Sequence, residues 1–175
     1  TRKESSAASD VYKRQGPWRA DRMTGSPAAD PYSRARSARD GNLTLGLGEG
    51  LAFRAATDSE GRPLRADCTY RVEGPIPLAR LYTLTAYRPD GQLALPRQSD
   101  RPGVLVSSRL MRDDANAAPI VASAVAQPGN WLSLPGDGGP VVLALSLYDT
   151  PASSSAGTDR LALPTIDRAG CTGRG

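Results

Sequence analysis

The chain has 175 residues, a formal net charge of +4 and no histidine. This length suffices for one domain with its own hydrophobic core. From residue 16 onward the basic residues stand singly, with no basic run and no interleaved aromatic platform, so the charge pattern argues against nucleic-acid binding. Glycine and proline, with 18 and 15 copies, favour short strands joined by turns over long helices.

The first fifteen residues differ in composition from the rest of the chain. Lys3 and Lys13 are the only lysines, and every later cation is an arginine. The segment Ser5–Gln15 also resembles a string that recurs at the ends of unrelated metagenomic proteins and is translated from sequencing adapter. We therefore set residues 1–15 apart as foreign to the fold, as one would a tag, and expect the natural N-terminus to be missing.

From Gly16 the sequence reads as one domain that extends to residue 171, followed by a short tail at 172–175. A short N-terminal helix is predicted at Asp30–Arg39, because Pro31 suits a first helical position and Asp30 suits the cap before it. The segment Gly41–Gly50 has too much glycine for a helix and lacks the residues of a phosphate-binding loop, so we interpret it as a turn or a bulged strand.

Two hydrophobic stretches, Arg80–Gly91 and Pro140–Thr150, are predicted to organise the core. In the first, apolar and polar residues alternate with the period of two that is typical of a half-buried strand. In the second, Leu143, Leu145 and Leu147 face one way and small or amphipathic residues face the other. This pattern predicts a central strand covered on both sides.

Shorter strands are predicted around these two. Leu51–Ala56 and Cys68–Gly74 are expected to pair as a hairpin through a turn at Thr57–Leu64. The other predicted strands are Gln92–Leu95, Val104–Met111, Ala118–Val125, the pair Leu132 and Leu134, and Leu161–Ile166. About eight short strands with almost no helix predict an all-β fold: a single β-sandwich or jelly-roll-like domain with one short N-terminal helix.

Cys68 and Cys171 are the only cysteines. A zinc site lacks its usual ligands, since there is no histidine and no CxxC motif, and no metal site is predicted. The pair is either a disulfide or two buried thiols. The disulfide is favoured, because a cysteine so near the end of the chain is usefully placed if it anchors that end. Such a bond would place the domain in an oxidising compartment, the periplasm or the cell exterior of a bacterium.

A series of short motifs follows from Gly16 to Cys171. They are Gly16-Pro17-Trp18, Asp30–Ala35, Glu49–Leu51, Asp58-Ser59, Gly61–Leu64, Cys68–Tyr70, Thr83–Tyr87, Gly129–Leu132, Leu147–Pro151, Leu163-Pro164 and Cys171. In this order they resemble the short, membrane-anchored bacterial proteins of domain-of-unknown-function family 1214.

The resemblance implies a jelly-roll-like β-sandwich and a cellular location. Such proteins carry one transmembrane helix just before the Gly-Pro-Trp motif, absent from this chain, so the full-length protein is expected at the periplasmic face of the bacterial inner membrane. Larger relatives fuse the domain to a second β domain, family 1254, and a family 1254 protein is therefore an expected partner. No catalytic residues are established for the family, and neither catalytic residues nor a cofactor are assigned here.

The favoured function is a non-catalytic binding or structural module of the cell envelope, with a protein or a glycan as its partner. The candidate binding residues are Asn130, Trp131, Tyr148 and Asp149, because an exposed tryptophan beside an amide can form a platform for a sugar or a peptide. In the competing interpretation Trp131 caps the sandwich core and Asn130 holds a turn. Exposure of the Trp131 ring separates the two.

The alternative function is an envelope carbohydrate hydrolase, which requires two carboxylates that face one cleft. The acids near predicted strand ends are Asp58, Glu73, Asp90 and Asp149. Asp58 and Asp90 lie in predicted turns, where aspartate is common for backbone reasons. Without histidine, a Ser-His-acid triad is impossible. A binding module is therefore favoured over an enzyme.

Overall fold

The computed structural model describes residues 12–21, 45–46, 48–96, 98, 100–153 and 161–172, together with the isolated residues 31, 32, 35 and 38. Short helices of the 3-10 type span Ser107–Arg109 and Pro151–Ser153. The strands are β1 (Tyr12–Gln15), β2 (Trp18–Asp21), β3 (Gly50–Ala55), β4 (Cys68–Glu73), β5 (Leu81–Tyr87), β6 (Val104–Val106), β7 (Ile120–Ser123), β8 (Asn130–Ser133), β9 (Val142–Tyr148) and β10 (Thr165–Cys171).

These strands form two sheets. The larger sheet has the order β1-β2-β3-β9-β5-β6 and the smaller sheet the order β10-β4-β7-β8. Neighbouring strands are antiparallel except β7 and β8, which are parallel. Side chains from both sheets share one buried core. The predicted all-β sandwich is confirmed, whereas the helix predicted at 30–39 lies largely outside the described residues and has no support from the structure.

Strand β9 is central to the larger sheet and lies between β3 and β5. Leu145 is paired with Phe53 on one side and Leu84 on the other, and all three side chains are buried. Because successive side chains of a strand point to opposite faces, Leu143 and Leu147 lie on the same core face as Leu145. The two stretches predicted to organise the core are thus neighbouring strands.

The hairpin predicted for Leu51–Ala56 and Cys68–Gly74 is wrong. β3 pairs with β2 and β9 in the larger sheet, whereas β4 pairs with β10 and β7 in the smaller one. After the turn, the backbone N–H of Leu64 still donates to the carbonyl oxygen of Ala56, but the carbonyl oxygen of Leu64 accepts from Val141 and the N–H of Ala66 donates to Gly139, in the chain segment before β9. Leu64 and Ala66 are both buried, so this segment carries the chain past the core to the second sheet.

Some predicted strands are shorter or displaced. β6 ends at Val106, because the chain then turns into a 3-10 helix and Ser107 Oγ accepts a hydrogen bond from the backbone N–H of Tyr82. In Gln92–Leu95, only a single bridge from Leu93 to Tyr87 forms. The last strand begins at Thr165 and runs to Cys171 instead of ending at Ile166.

The larger sheet includes residues from the N-terminal segment 1–15, which we set apart because of its composition. Tyr12–Gln15 form β1 and pair with Trp18–Asp21 of β2, so the sheet extends to Tyr12; the foreign origin of residues 1–15 stays a prediction. The indole N–H of the fully buried Trp18 donates to the carbonyl oxygen of Pro164 at 2.7 Å. This bond joins β2 to the segment that leads into β10.

A disulfide links two neighbouring strands of the smaller sheet. Cys68, the first residue of β4, is bonded to Cys171, the last residue of β10 and its partner in register. The predicted disulfide is therefore confirmed. Beyond it, the backbone N–H and the hydroxyl of Thr172 both donate to the carbonyl oxygen of Asp67. These contacts hold the C-terminal end of the described chain against β4.

Gly50, at the start of β3, lies where the backbones of β3 and β9 approach each other closely. A Cβ at Gly50 would lie 2.1 Å from the carbonyl oxygen of Leu147, whereas a Cβ at Gly48 would meet nothing within 4 Å. We expect Gly50→Ala to lower the free energy of unfolding by about 1–3 kcal/mol or more, because two central strands must separate. Gly48→Ala should stay close to wild type. Urea unfolding measures both, and equal effects would contradict the expectation.

Removal of the disulfide should destabilise the domain. The bond links residues separated by 103 positions, and the chain-entropy model gives such a loop a stabilisation of about 4–5 kcal/mol, less any strain. Urea unfolding of the oxidised and the reduced wild-type chain should differ by up to that amount. A Cys68→Ser/Cys171→Ser variant should unfold identically with and without reductant. Equal stability of the oxidised and reduced wild type would contradict the role of the bond.

Candidate functional site

The four predicted binding residues lie in different sheets. Asn130 and Trp131 begin β8 in the smaller sheet, whereas Tyr148 ends β9 in the larger one and Asp149 follows it. The carboxylate of Asp149 lies 3.7 Å from the guanidinium of Arg80, and both side chains are exposed. The structure therefore places Asn130 beside Trp131 and Tyr148 beside Asp149, in two separate pairs.

Trp131 is partly buried on the outer face of the smaller sheet. Its indole N–H donates to the carbonyl oxygen of Ser123 at 2.8 Å. The guanidinium of Arg101 lies over its ring, 5.6 Å from the centroid, and also donates to the carbonyl oxygen of Ala124. The ring is neither a core residue nor an open platform, since its polar atom and one of its faces contact the protein itself.

Asn130 is buried and joins both ends of one loop to β8. Its amide oxygen accepts a hydrogen bond from the backbone N–H of Met111 at 2.8 Å. Its amide nitrogen donates to the carbonyl oxygens of Met111, at 2.8 Å, and Pro119, at 3.0 Å. The side chain thus fixes both ends of the segment between Met111 and Pro119, which fits the interpretation that Asn130 holds a turn.

A groove of about 510 Å³ lies on the outer face of the smaller sheet. Its floor is formed by alternate residues of β4 together with one residue of β7, and its walls are formed by two loops and by β10. The floor residues are Thr69, Arg71, Glu73 and Val121, and the wall residues are Met111, Arg112, Asp113, Pro119, Gln127, Pro128, Gly129, Asn130 and Ala169.

Two local irregularities shape this groove. The register between β10 and β4 shifts between Arg168 and Gly170, so Ala169 is the extra residue of a β-bulge, and bulges redirect side chains. The connection between the parallel strands β7 and β8 is only the short loop after Ser123, and residues 127–129 of that loop form one wall. Parallel neighbours usually need a longer crossover, so this loop stays close to the sheet.

The groove contains two arginines and two acids. Asp113 accepts hydrogen bonds from the backbone N–H groups of Ala115 and Ala117, and Arg112 donates to the carbonyl oxygen of Asn116, so both are engaged within their own loop. Arg71 and Glu73 are exposed. Within the described part of the chain, neither of their charged groups has an ion-pair or hydrogen-bond partner. These two charges are available to a ligand.

The sequence did not identify this groove. Thr69, Arg71 and Glu73 alternate with apolar residues, which is the ordinary pattern of a strand with one solvated face. The loops that form the walls are adjacent to β4 only because β7 and β8 pair in parallel and Asn130 joins them to the segment between Met111 and Pro119.

The most buried acids have structural roles. Burial opposes ionisation of Asp58, but hydrogen bonds from Arg62 and the charges of Arg62 and Arg168 outweigh it, and its pKa is lowered. The guanidinium of Arg62 lies 2.8 Å and that of Arg168 3.2 Å from the Asp58 carboxylate. A two-pronged hydrogen bond from Arg65 likewise lowers the pKa of Asp67. A general acid in glycoside hydrolysis needs a raised pKa. The lowered pKa values of Asp58 and Asp67 therefore argue against that role for either residue.

The acids that were weighed for hydrolysis do not share one cleft. Of Asp58, Glu73, Asp90 and Asp149, only Glu73 lines the groove. Asp90 accepts a hydrogen bond from the backbone N–H of Gln92, as an aspartate in a turn commonly does. Among the described residues, no group of three or more acidic or cysteine side chains is arranged to hold a metal ion. A helix with the length and hydropathy to cross a bilayer is not found in those residues either.

The family of the chain follows from a comparison with family models. The model described as "Protein of unknown function (DUF1214)" matches residues 49–152, more than half of the chain. The chain belongs to the DUF1214 family. The resemblance drawn from the motifs is therefore confirmed, and the matched DUF1214 region contains the floor of the groove and both of its loop walls.

A solved structure from Vibrio shares the fold of this DUF1214 chain. The VPA0106 protein from Vibrio parahaemolyticus has a TM-score of 0.61 and 20% identity, over 80% of this chain and 35% of that one. A putative uncharacterized protein from Burkholderia cenocepacia has a TM-score of 0.46 and 19% identity, over 83% of this chain and 44% of that one. The chain thus spans about a third of the first and less than half of the second. No curated protein matches it.

The ion pairs of Asp58 should make stability depend on pH. A pKa that is lower in the folded than in the unfolded state gives stability that is present above the ordinary aspartate pKa and lost as pH falls through the folded value. We expect the wild-type free energy of unfolding to fall below about pH 4. Asp58→Asn should cost roughly 1–2 kcal/mol at pH 7, less than for a fully buried pair because Arg62 is 42% exposed.

Urea unfolding at pH 7, 5, 4 and 3 measures this dependence. Asp58→Asn should show a shallower loss of stability between pH 4 and 3 than wild type. Asp114→Asn, a change of an exposed aspartate in a loop, is the matched control and should follow the wild-type curve. An Asp58→Asn curve parallel to wild type would show that the ionised form of Asp58 does not stabilise the fold.

Proposed function

We propose that this DUF1214 domain is a non-catalytic binding module of the bacterial cell envelope that takes its ligand in the groove on the outer face of the smaller sheet. The observation that supports the proposal is the pair Arg71 and Glu73, two exposed side chains whose charged groups have no partner among the described residues, in a groove of about 510 Å³. Sites of this volume are typical for small ligands or for short segments of larger ones.

The proposed location is the periplasmic face of the inner membrane. The Cys68–Cys171 disulfide supports an oxidising compartment. Membrane attachment through an N-terminal helix rests on the family resemblance. A family 1254 protein is the proposed partner, which likewise rests on the family resemblance. The ligand is accordingly a segment of an envelope protein or glycan.

The alternative, an envelope carbohydrate hydrolase, has less support. Glu73 lines the groove, but the other acid of the groove, Asp113, accepts two backbone hydrogen bonds from its own loop. Asp58 and Asp67 are held ionised by arginines, which is the wrong state for a general acid. The pair Tyr148 and Asp149 stays a second predicted binding surface, on the larger sheet.

Amide chemical shifts of the ¹⁵N-labelled, oxidised full chain test the proposal. Two mixtures serve as probes: tryptic peptides of periplasmic protein and muropeptides from digested peptidoglycan. We expect at least one mixture to shift the amides of Thr69, Arg71 and Val121 while leaving that of Leu145 unchanged. Arg71→Ala/Glu73→Ala should abolish these shifts, because it removes both unpaired charges. Arg19→Ala, on the larger sheet, should preserve them.

Two outcomes would contradict the proposed binding site in the groove. If neither mixture shifts the groove amides, the groove is not a binding site for envelope material. If the shifts centre on Tyr148 and Asp149 instead, the second predicted surface replaces it.

A further inference from the structure

The side chains on the floor of the groove have the spacing of alternate side chains in an extended polypeptide. Thr69, Arg71 and Glu73 are alternate residues of β4, so their side chains stand about 6.5–7 Å apart on one face. Alternate side chains of an extended peptide have the same spacing. From Thr69 to Glu73 the floor spans about 13 Å, the length of a stretch of roughly four extended residues.

Arg71 and Glu73, which are neighbours on the floor of the groove, have charges of opposite sign. The charged groups of Arg71 and Glu73 have no partner among the described residues, and the acid beside Arg71 on β10, Asp167, accepts a hydrogen bond from the hydroxyl of Thr165 at 2.7 Å. A ligand that covers this floor removes water from both charges. Such a ligand is favoured when it brings an acid to Arg71 and a base to Glu73, since an unpaired charge is costly to desolvate.

The walls favour a peptide over a sugar. No aromatic side chain is among the residues that line the groove, so it lacks the flat ring face that suits a sugar ring. Instead, Met111, Pro119 and Pro128 present aliphatic surface, with Met111 61% exposed. Asn130 fixes Met111 and Pro119 through three hydrogen bonds, so this wall is formed before a ligand arrives.

The edges of the smaller sheet are engaged at positions where an added strand would pair. At the β10 edge, Ile166 donates to the hydroxyl of Ser59 and accepts from the backbone N–H of Ser59. At the β8 edge, the backbone N–H of Ser133 donates to the carbonyl oxygen of Pro102. Peptide recognition by strand addition needs free edge groups. A peptide would therefore lie on the outer face of the sheet and run along β4.

We infer that the groove binds an extended polypeptide segment in which an acidic and a basic side chain stand two residues apart, the acidic one at Arg71 and the basic one at Glu73. This inference rests on the proposed function and adds the chemical class of the ligand. The aliphatic walls contact the intervening residues, and the charge pair sets the register of the segment.

Fluorescence anisotropy with four labelled octapeptides tests the inference on the oxidised full chain at low salt. The first peptide carries Asp and Lys two residues apart in a serine–glycine–threonine background, and the matched peptides carry two Asp, two Lys or two Ser at those positions. We expect the mixed-charge peptide to bind about tenfold more tightly than the others, with an affinity that falls as salt rises.

Charge-reversal variants provide the matched controls. Arg71→Glu should shift the preference to the peptide with two Lys, and Glu73→Lys should shift it to the peptide with two Asp. Arg19→Glu, an exposed arginine on the larger sheet, should change nothing. All three replace exposed side chains, and urea unfolding checks that each variant is folded.

The inference is overturned if the four peptides bind equally or not at all, or if the two groove variants keep the wild-type preference. Muropeptides that shift the groove amides while no peptide binds would leave the proposed function standing and refute the polypeptide ligand. A groove that responds to neither class of probe would refute both.

Discussion

The pairing of β10 with β4 is the contact on which the smaller sheet depends. It joins residues about a hundred positions apart, and loop closure over that distance costs chain entropy that local contacts do not offset. The Cys68–Cys171 disulfide links β10 to β4 directly, and the ion pair of Arg168 with the buried Asp58 and the hydrogen bonds between Ile166 and Ser59 hold β10 to the turn after β3. β4 forms the floor of the groove, so the candidate site depends on the same pairing.

Charged groups in and next to the smaller sheet include two classes that differ in their surroundings. Those beside the core, Asp58 and Asp67, are matched by arginines that lower their pKa, so they stabilise the fold in their ionised form. Arg71 and Glu73 face solvent on the opposite side of β4 and have no partner in the described part of the chain. The ionised groups that stabilise the fold thus lie beside the core, whereas the charges of the proposed binding site lie on the outer face of β4.

Binding on the face of a sheet suits this domain because of how its edges are used. The edge strands β10 and β8 hydrogen-bond to flanking loops, which also protects them from pairing with other chains. A face site built on exposed charges is sensitive to ionic strength and gives selectivity through charge pattern more than through affinity. If the proposed function holds, such a module would position the domain on its partner without strong binding of its own.

The sequence by itself determined the local properties. Alternation placed β5 and β9, cysteine usage and position favoured the Cys68–Cys171 bond, and ordered motifs indicated the family, since each depends on residue type along the chain. Only the tertiary structure decided which strands pair. Period-two alternation is the same whichever strand is the partner, so the predicted hairpin of β3 and β4 was wrong. The groove could not be predicted, because β4, the β7–β8 loop and the segment held by Asn130 meet only through non-local pairing.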